Sequence, residues 1–590
     1  MLELESSVNL EQFGSRKTSA ANLLHYVALR RLDIRGLQEK LELIGISSLG
    51  RAEGHVLYNI DSVIRILQRL AHEPVVIEPA VDGVSPLEGR KILRTNTDAL
   101  FGPSEPGREV RMMATMPSEA ATDYSLVRDL MAAGMDCMRI NCAHDSEPAW
   151  LAMVENLRRA EREVGRKSKV MMDVAGPKMR TGKLEPGPQV LRMKPDRDAY
   201  GRITRPATVF LSAEDGARPP TDDEPVLQVE RAWLGMLRNG DIVTLEDSRG
   251  SARSMNITVG RGGVVKATLQ KTAYFSATTR LVLTKSGREH TTLVSNVPHL
   301  ENPILLRKGD TLVVTGAQTP GSPAHRGEPA QVPCTLPEAL RLVKPGERIW
   351  FDDGKIGGAV KAASAEELRV EITQAAPAGT KLREDKGINL PDTNLKLPPL
   401  TSKDMQDLRF ITKYADMIGY SFVRTSEDLR TLRAELEKLG KPDMAIIIKV
   451  ETARAFDQLP TLLLESMRNR VSGVMIARGD LAVECGYERL AEVQEEILWM
   501  SEAAHMPTIW ATQVLEGLTK SGVPSRAEVT DAAMGERSEC VMLNKGPHLV
   551  EALLVLNSIL RRMQAHQVKK RSLMRRLNIA SGFLRTPSAS

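Results

Sequence analysis

The stretch that decides the fold is residues 110–144, VRMMATMPSEAATDYSLVRDLMAAGMDCMRINCAH. It contains two short apolar runs, VRMMATM (110–116) and MRINCAH (138–144), with the amphipathic stretch DYSLVRDLMAAG between them. Apolar runs that do not alternate with polar residues are typical of strands buried on both faces, and a helix between two such strands indicates a parallel sheet. The stretch therefore predicts one strand–helix–strand unit.

Six more runs of this kind follow along the chain. They are KVMMDVAG (169–176), ADMIGYSFV (415–423), AIIIKVE (445–451), GVMIARG (473–479), PTIWATQ (507–513) and ECVMLNK (539–545). Eight buried strands that alternate with helices predict a closed barrel with the helices outside. The fold class that we expect is therefore α/β, a (β/α)₈ TIM barrel.

The barrel pattern is interrupted after its third strand. Residues 181–384 are rich in Gly, Pro, Thr and Val and contain short alternating runs such as VVKATLQ and LRVEITQ, which predict a β-rich cap domain. Segments 234–259 and 340–360 resemble each other, so we expect an internal duplication, although β-hairpins in general also resemble one another. The barrel would then occupy residues 109–180 and 385–566.

The two ends of the chain differ from this body. Residues 1–108 predict a helical extension, with Leu at helical spacing over 20–75 and a Pro- and Gly-containing linker over 76–108. Its apolar stripe is expected to dock on its own barrel or on a subunit partner. Residues 567–590 predict a basic tail.

Composition narrows the class of protein. Eight Lys and Arg residues lie between Arg561 and Ser590, which is more than the net charge of +5, so the rest of the chain is not basic. Only 4% of residues are aromatic. We therefore expect no nucleic-acid partner. No apolar run approaches the ~20 residues that span a bilayer, and the start of the chain is acidic where a signal peptide is basic. The five scattered cysteines fit a reducing compartment. We expect a cytoplasmic protein without a membrane partner.

Candidate site residues follow the strands, because the active site of such a barrel lies at the carboxyl ends of its strands. They are Arg139, Asn141 and His144 (second strand), Asp173, Lys178 and Arg180 (third), Ser421 (fourth), Lys449 and Glu451 (fifth), Arg478, Gly479 and Asp480 (sixth), and Thr512 (seventh).

The fifth and sixth strands suggest a metal site. Lys449 and Glu451 are two residues apart, so their side chains leave the same face of the strand, and Asp480 follows the next strand. Two carboxylates together with substrate oxygens are typical ligands of Mg²⁺ (or Mn²⁺). Arg139 and Lys449 add positive charge suited to a small substrate with a phosphate and a carboxylate. A single charged residue at a strand end is more often a structural ion pair, but a whole ring of them is not.

Several motifs at these positions resemble the pyruvate kinase family. They are MRINCAH (138–144), DVAGPKMRTG (173–182), FDDGKIGG (351–358), KGINLP (386–391), IIIKVET (446–452), MIARGDLAVE (475–484), WATQVLEGL (510–518) and PSRAEVTD (524–531). The resemblance covers about residues 109–565 and implies phosphoryl transfer from phosphoenolpyruvate to ADP, giving pyruvate and ATP.

The resemblance also implies a role for each matching residue. Lys449, Arg139, Thr512 and Arg180 would be catalytic, with Lys449 stabilising the phosphoryl group and Thr512 close to the carbon that is protonated. Glu451 and Asp480 would hold the metal ion. The substrate and nucleotide would contact the remaining residues, which are Asn141, His144, Ser421, Arg478 and Gly479.

The sequence departs from the family at the K⁺ site. Where the family uses Asn, Ser, Asp and Thr, this chain has Asn141, Ala143, Asp173 and Val174, and Lys178 replaces a nearby Glu. K⁺-independent members of the family carry Lys at this place. We therefore predict that Lys178, beside Asp173, substitutes for the monovalent cation and that K⁺ is not required.

Other departures leave alternatives open. The loop after the eighth strand differs from that of the family. Nothing after residue 565 resembles the family's regulatory domain, so we do not expect control by an effector bound there. For the same reason we expect the homo-oligomer to be a dimer. Two other functions remain open: a catalytically altered regulatory or scaffold protein, and a metal-dependent lyase on a related barrel.

Overall fold

The computed structural model describes residues 8–72, 83–213, 225–260, 264–325, 327–395, 397–569 and 571–572. The chain forms two compact units. The first comprises Met1–Arg180, Leu336–Gln374 and Lys386–Ser590, and the second comprises Thr181–Thr335 and Ala375–Asp385. The cap boundaries of 181–384 stay a prediction.

The centre of the first unit is a closed barrel of eight parallel strands. In barrel order they are β1 (Arg111–Thr115), β2 (Cys137–Asn141), β3 (Lys169–Val174), β4 (Met417–Tyr420), β5 (Ala445–Val450), β6 (Ser472–Ala477), β7 (Thr508–Ala511) and β8 (Cys540–Leu543). Every strand follows its sequence neighbour around the barrel, and β8 pairs with β1. The predicted TIM barrel, with all eight of its strands, is confirmed.

Helices surround the barrel. They are Tyr124–Ala132, Glu147–Val164, Ser402–Tyr414, Ser426–Lys438, Ala453–Asp457, Leu459–Ser466, Arg478–Cys485, Leu490–Ala503, Glu516–Ser521, Arg526–Met534 and Leu549–Met563, with 3₁₀ turns at Ser118–Ala121, Tyr487–Arg489 and Gly535–Arg537. Local sequence sets their starts. Thr401 and Asp404, like Ser525 and Glu528, exchange side-chain and backbone hydrogen bonds across the first turn of a helix.

The barrel interior is filled largely by sulfur-containing side chains. Met113, Met171, Met417, Met475 and Met542 come from five different strands and are buried in one cluster. The unbranched, flexible Met side chain fills irregular gaps well, which suits a barrel axis where side chains of eight strands converge.

The N-terminal extension packs on the barrel of its own chain. Its helices are Lys17–Arg30, Arg35–Leu43 and Val56–Leu70, with 3₁₀ turns at Leu10–Arg16 and Glu53–His55. The buried Asn22 amide donates to the carbonyls of Glu53 (2.7 Å) and Ala503 (2.8 Å). His505 bonds Ser19 Oγ at 3.0 Å and the Gly54 carbonyl at 2.9 Å. Of the two expected docking partners, the barrel is thus confirmed.

The prediction of a linker over 76–108 is wrong for about half of that range. Residues Pro86–Phe101 form a helix, which starts with a reciprocal capping box between Ser85 and Glu88. Pro86 is tolerated because the first helical position needs no amide hydrogen. Leu100 and Phe101, at the end of this helix, are buried in the barrel's interior cluster. Residues 76–82 of the predicted linker lie outside the described residues.

The first unit also carries a small sheet from the predicted cap. Strands Arg348–Phe351, Ile356–Ala363 and Glu367–Gln374 are successive antiparallel neighbours, and Ile388–Asn389 pairs with the first of them. A 3₁₀ helix, Pro337–Leu342, precedes this sheet. Near the end of the chain, Gln567–Val568 pairs with Arg571–Ser572, whereas 573–590 of the predicted tail lie outside the described residues.

The second unit is built from β-strands. Its main sheet has seven strands in the order Arg288–Leu293, Arg280–Lys285, Ile242–Glu246, Ala252–Val259, Val265–Leu269, Ala207–Ser212 and Val226–Gln228. Two-stranded pairs join Leu191–Met193 to Ala273–Phe275, Asp196–Arg197 to Ile203–Arg205, and Ile304–Leu306 to Thr380–Leu382. Thr311–Thr315 pairs in parallel with Ala330–Pro333 as part of a larger sheet. One short helix, Arg231–Leu234, is present.

The two segments of the suspected repeat, 234–259 and 340–360, lie in longer stretches of chain that have the same order of elements. A strand pairs in parallel with the next one, as in Ala207–Ser212 with Val226–Gln228 and in Thr311–Thr315 with Ala330–Pro333. In each segment a short helix, an antiparallel hairpin and a third strand follow. This shared order supports a duplication, which remains our proposal.

Among the described residues, no helix has both the length and the apolar character needed to cross a bilayer.

Candidate functional site

Lys449 is the centre of the polar cluster at the carboxyl end of the barrel. Its ammonium lies 2.8 Å from Ser421 Oγ, 2.9 Å from Glu451 Oε1 and 3.1 Å from Asp173 Oδ2. Burial alone would lower the pKa of Lys449, but Asp173 and Glu451 hold it above the usual value. Lys449 is therefore a buried ammonium whose charged form is stabilised by two carboxylates.

Asp173 anchors a second cation beside Lys449. Its Oδ2 accepts from Arg139 Nε at 3.1 Å and Nη2 at 2.7 Å, while Arg139 Nη1 donates to Thr115 Oγ1 at 3.0 Å. Burial favours the neutral acid, yet Arg139 and Lys449 keep the pKa of Asp173 below its ordinary value. One ionised carboxylate thus holds two cations at the barrel mouth.

Glu451 and Asp480 form the predicted pair of carboxylates. Glu451 Oε2 accepts the Phe422 amide hydrogen at 2.6 Å, and its Oε1 contacts Lys449. Burial raises the pKa of Glu451, and the negative charge of Asp480 raises it further, whereas Lys449 lowers it. The two carboxylates are therefore close enough to repel each other.

This arrangement fits a divalent cation. A metal ion between Glu451 and Asp480 would relieve their mutual repulsion, and both supply the oxygen ligands that Mg²⁺ prefers. No group of three or more His, Cys, Asp or Glu suited to a metal occurs within the described parts of the chain. A two-carboxylate site leaves the remaining coordination positions to substrate oxygens and water.

Lys178 pairs with Asp480. Its ammonium lies 2.9 Å from Oδ1 and 3.1 Å from Oδ2 of Asp480, and 5.5 Å from the centre of the Phe422 ring. Asp173, the other residue of the predicted cation substitute, is bound by Arg139 and Lys449 instead. Lys178 thus brings its positive charge to the carboxylate pair.

The backbone just after strand β7 adopts the left-handed conformation at three non-glycine residues. Thr512 has a φ of 64°, and Gln513 (56°) and Leu515 (47°) share the left-handed region. Thr512 Oγ1 accepts the Gly479 amide hydrogen at 2.8 Å, which leaves its hydroxyl hydrogen for another acceptor. Arg478, predicted to contact substrate, donates to the Thr512 carbonyl at 2.6 Å and to Asp531 Oδ2 at 2.8 Å.

The other predicted residues lie around this cluster. Asn141 Oδ1 accepts the Ala143 amide hydrogen at 3.2 Å, and the exposed His144 accepts from Trp150 Nε1 through its carbonyl at 2.9 Å. Arg180 pairs its backbone with Gly387. Hydrogen bonds and ion pairs therefore join Ser421, Lys449, Glu451, Asp173 and Arg139 directly.

Two residues of this region, Gly419 and Glu484, were not predicted as site residues from the sequence. Gly419 on β4 faces Asp173, since a Cβ there would lie 2.0 Å from Oδ1. Glu484 accepts from the Asn389 amide at 3.1 Å, and burial raises its pKa to about 7. Glu484 belongs to the quoted motif MIARGDLAVE, which could have signalled it, whereas nothing in the sequence marks Gly419.

The chain is similar to known proteins over most of its barrel. The family model "Pyruvate kinase, barrel domain" matches residues 107–203 and 240–547. Similar proteins include the pyruvate kinase PKLR of Homo sapiens (32% identity over 49% of this chain and 49% of that protein). They also include the pyruvate kinase of Chlamydia muridarum (30% identity; 44% and 53%) and pyruvate kinase 2 of Saccharomyces cerevisiae (36%; 37% and 42%). The chain spans about half the length of these relatives.

Proposed function

Because the chain belongs to the pyruvate kinase family, we propose that it transfers the phosphoryl group of phosphoenolpyruvate to ADP and releases pyruvate and ATP. The observation that carries this proposal is the buried Lys449 ammonium, held by Asp173, Glu451 and Ser421 at the mouth of the barrel. Such transfer relies on positioning and on neutralising the charge of the phosphoryl oxygens.

The cations would act on the phosphoryl group. Arg139 and Lys449 share Asp173, so both are fixed before substrate arrives and need little reorganisation during transfer. A divalent ion bound by Glu451 and Asp480 would supply positive charge to the carboxylate and enol oxygens of phosphoenolpyruvate. Arg180 would support the phosphoryl side.

The chemical steps follow from this placement. The bond between phosphorus and the enol oxygen breaks as a β-phosphate oxygen of ADP bonds to phosphorus. The negative charge left on the enolate oxygen faces the ammonium of Lys449. The methylene carbon then takes a proton from water, on the side that Thr512 would line, and pyruvate forms. Asn141, His144, Ser421 and Gly479 would contact substrate or nucleotide.

Lys178 is proposed to replace the monovalent cation. It is a fixed ammonium that contacts Asp480 at 2.9 Å, so positive charge is already present at the carboxylate pair. K⁺ would then not be required. Assembly as a dimer and a cytoplasmic location also remain proposals.

The test measures pyruvate release from phosphoenolpyruvate, ADP and Mg²⁺ by the purified full-length protein. Lys449→Met and Glu451→Gln should each lower kcat by at least about 100-fold, the usual effect of losing one preorganised charge contact. Lys169→Met is the matched control, because Lys169 pairs with Asp416 at the opposite end of β3. Equal turnover by all of these proteins would reject the proposal, and pyruvate release without ADP would favour a lyase or hydrolase.

A further inference from the structure

The turn Asp352–Gly354 joins the first two strands of the small sheet, Arg348–Phe351 and Ile356–Ala363, in the same unit as the barrel. All three of its residues have positive φ, 52° at Asp352, 54° at Asp353 and 82° at Gly354. This conformation is costly for residues other than glycine, and it persists where neighbouring groups hold it. Two of the three residues are aspartates, so the turn needs contacts from outside itself.

Tyr487 contacts this turn from the barrel side. It follows the helix Arg478–Cys485, and its hydroxyl donates to the Asp353 carbonyl at 3.0 Å. A Cβ at Gly354 would lie 2.4 Å from the Tyr487 hydroxyl oxygen, so the turn approaches the phenol as closely as a glycine allows. Burial and the charge of Asp353 raise the pKa of Tyr487. The hydroxyl therefore keeps its hydrogen at neutral pH and acts as the donor.

The other contacts of the turn come from its own sheet and the segment that follows. The Asp352 amide donates to the Gly387 carbonyl at 3.0 Å. The Asp352 carboxylate accepts from Lys355 at 3.0 Å and pairs with Lys386 at 3.6 Å. These contacts shape the turn, whereas Tyr487 connects it to the barrel.

The turn lies beside the Lys178–Asp480 pair. A Cβ at Gly387 would lie 3.7 Å from Lys178 Nζ and 3.9 Å from Asp353 Oδ1, so Lys178 and the turn approach Gly387 together. The Lys178 ammonium is in turn 2.9 Å from Asp480 Oδ1. The turn therefore flanks the carboxylates at the mouth of the barrel.

The same region of the barrel contacts the small sheet at a second point. The Asn389 amide donates to Glu484 Oε1 at 3.1 Å, and the two residues are 7% and 8% exposed. Tyr487, by contrast, is 56% exposed. Hydrogen bonds that solvent reaches open more readily than buried ones. The Tyr487 contact can therefore open while the buried Asn389–Glu484 contact stays closed.

We propose that Tyr487 is a positioning residue that holds the turn Asp352–Gly354 on the barrel and thereby keeps water from the phosphoryl group. The inference rests on the phosphoryl transfer proposed above. Where water enters, the bond between phosphorus and the enol oxygen breaks and the water oxygen bonds to phosphorus in place of ADP. One proton of that water stays on the phosphate, and the methylene carbon takes the equivalent of the other. Inorganic phosphate and pyruvate then leave without ATP, a loss that a closed cover prevents.

Hydrogen exchange of the full-length protein tests whether Tyr487 holds the turn. Tyr487→Phe keeps the ring and removes only the hydroxyl. The amide hydrogens of Asp352 and Lys355, which are hydrogen-bonded within the turn region, should exchange at least twofold faster in this variant, since one hydrogen bond is worth roughly a two- to tenfold change in an equilibrium. Tyr58→Phe is the control, because Tyr58 is 44% exposed on the distant helix Val56–Leu70. Equal exchange in Tyr487→Phe and the unchanged protein would overturn the proposal.

A product ratio tests whether the turn excludes water. With phosphoenolpyruvate, ADP and Mg²⁺, the ratio of inorganic phosphate to ATP should rise at least twofold in Tyr487→Phe and stay unchanged in Tyr58→Phe. Partial unfolding would lower both products together and would not move this ratio. An unchanged ratio despite faster exchange would overturn the role in excluding water. Absence of both products from the unchanged protein would reject the proposed function and this role with it, whereas the exchange rates would still decide whether Tyr487 holds the turn.

Discussion

Replacing Lys178 by Met tests whether a side chain has taken the place of a monovalent cation. The ammonium lies 2.9 Å from Asp480 Oδ1, and the two side chains are 22% and 18% exposed. At an effective dielectric constant of about 20, two unit charges 4 Å apart interact by about 4 kcal/mol. Partial exposure to solvent reduces this value. We expect a net loss of about 1.4 to 2.7 kcal/mol, which is a tenfold to hundredfold fall in kcat/KM.

The assay compares KCl with tetramethylammonium chloride at one ionic strength. The unchanged protein should show the same rate in both salts, because Lys178 already supplies the charge. The Lys178→Met protein should be slow in tetramethylammonium chloride and should regain part of its activity in KCl. Lys520→Met, which removes an exposed lysine from the Glu516 pair, serves as the control and should behave like the unchanged protein.

Three results would refute the proposed role of Lys178. Strong activation of the unchanged protein by KCl would mean that Lys178 does not replace the cation. Full activity of Lys178→Met without K⁺ would mean that the site needs no charge at this position. A loss of activity that KCl does not relieve would place Lys178 in the site but reject its role as a cation substitute.

Two further predictions concern stability. Gly419→Ala places a Cβ 2.0 Å from Asp173 Oδ1, so we expect the unfolding free energy to fall by about 3 kcal/mol and the activity to fall at least tenfold. Gly36→Ala is the control and should change neither, because the space around Gly36 is open. Equal urea midpoints for the two variants would contradict this prediction. Burial lowers the pKa of His505 to about 4, so its contribution to stability is complete above its ordinary pKa of 6.5 and is lost as the pH falls towards 4. We expect urea unfolding to show a loss of about 3 kcal/mol over this range that His505→Gln lacks, and parallel curves for the two proteins would refute it.

The barrel strands were predictable from the sequence because burial on both faces determines which residues they contain. A strand covered on both sides must be apolar throughout, so all eight barrel strands are visible as continuous runs. The helix Pro86–Phe101 was missed because Pro86 and Gly89 resemble helix breakers. Pro86 occupies the first helical position, and Gly89 is needed because a Cβ there would lie 2.4 Å from the Gly54 carbonyl oxygen. That requirement comes from tertiary packing and leaves no periodic signal.

For the site, the sequence predicted which side chains lie at the same end of the barrel, but not which of them pair with each other. The barrel rule places Lys449, Glu451 and Asp480 at one end, because the carboxyl ends of parallel strands meet there. This rule does not predict which carboxylate each Lys or Arg side chain contacts. Lys178 pairs with Asp480, and Arg478 pairs with Asp531 on the helix Arg526–Met534, although the partners are distant in sequence. Such pairings depend on how the segments after the strands are placed rather than on strand order.

The pairing of Arg478 changes how the end of β7 is understood. Three non-glycine residues with positive φ within four positions cost on the order of 1 kcal/mol each, and such strain persists only where the surroundings hold it. Arg478 supplies that restraint, because it binds the Thr512 carbonyl and Asp531 together, while Gly479 fixes the Thr512 hydroxyl. The ion pair of Arg478 with Asp531 therefore stabilises the strained backbone at Thr512, and we propose that Arg478 is a positioning residue that acts through Thr512.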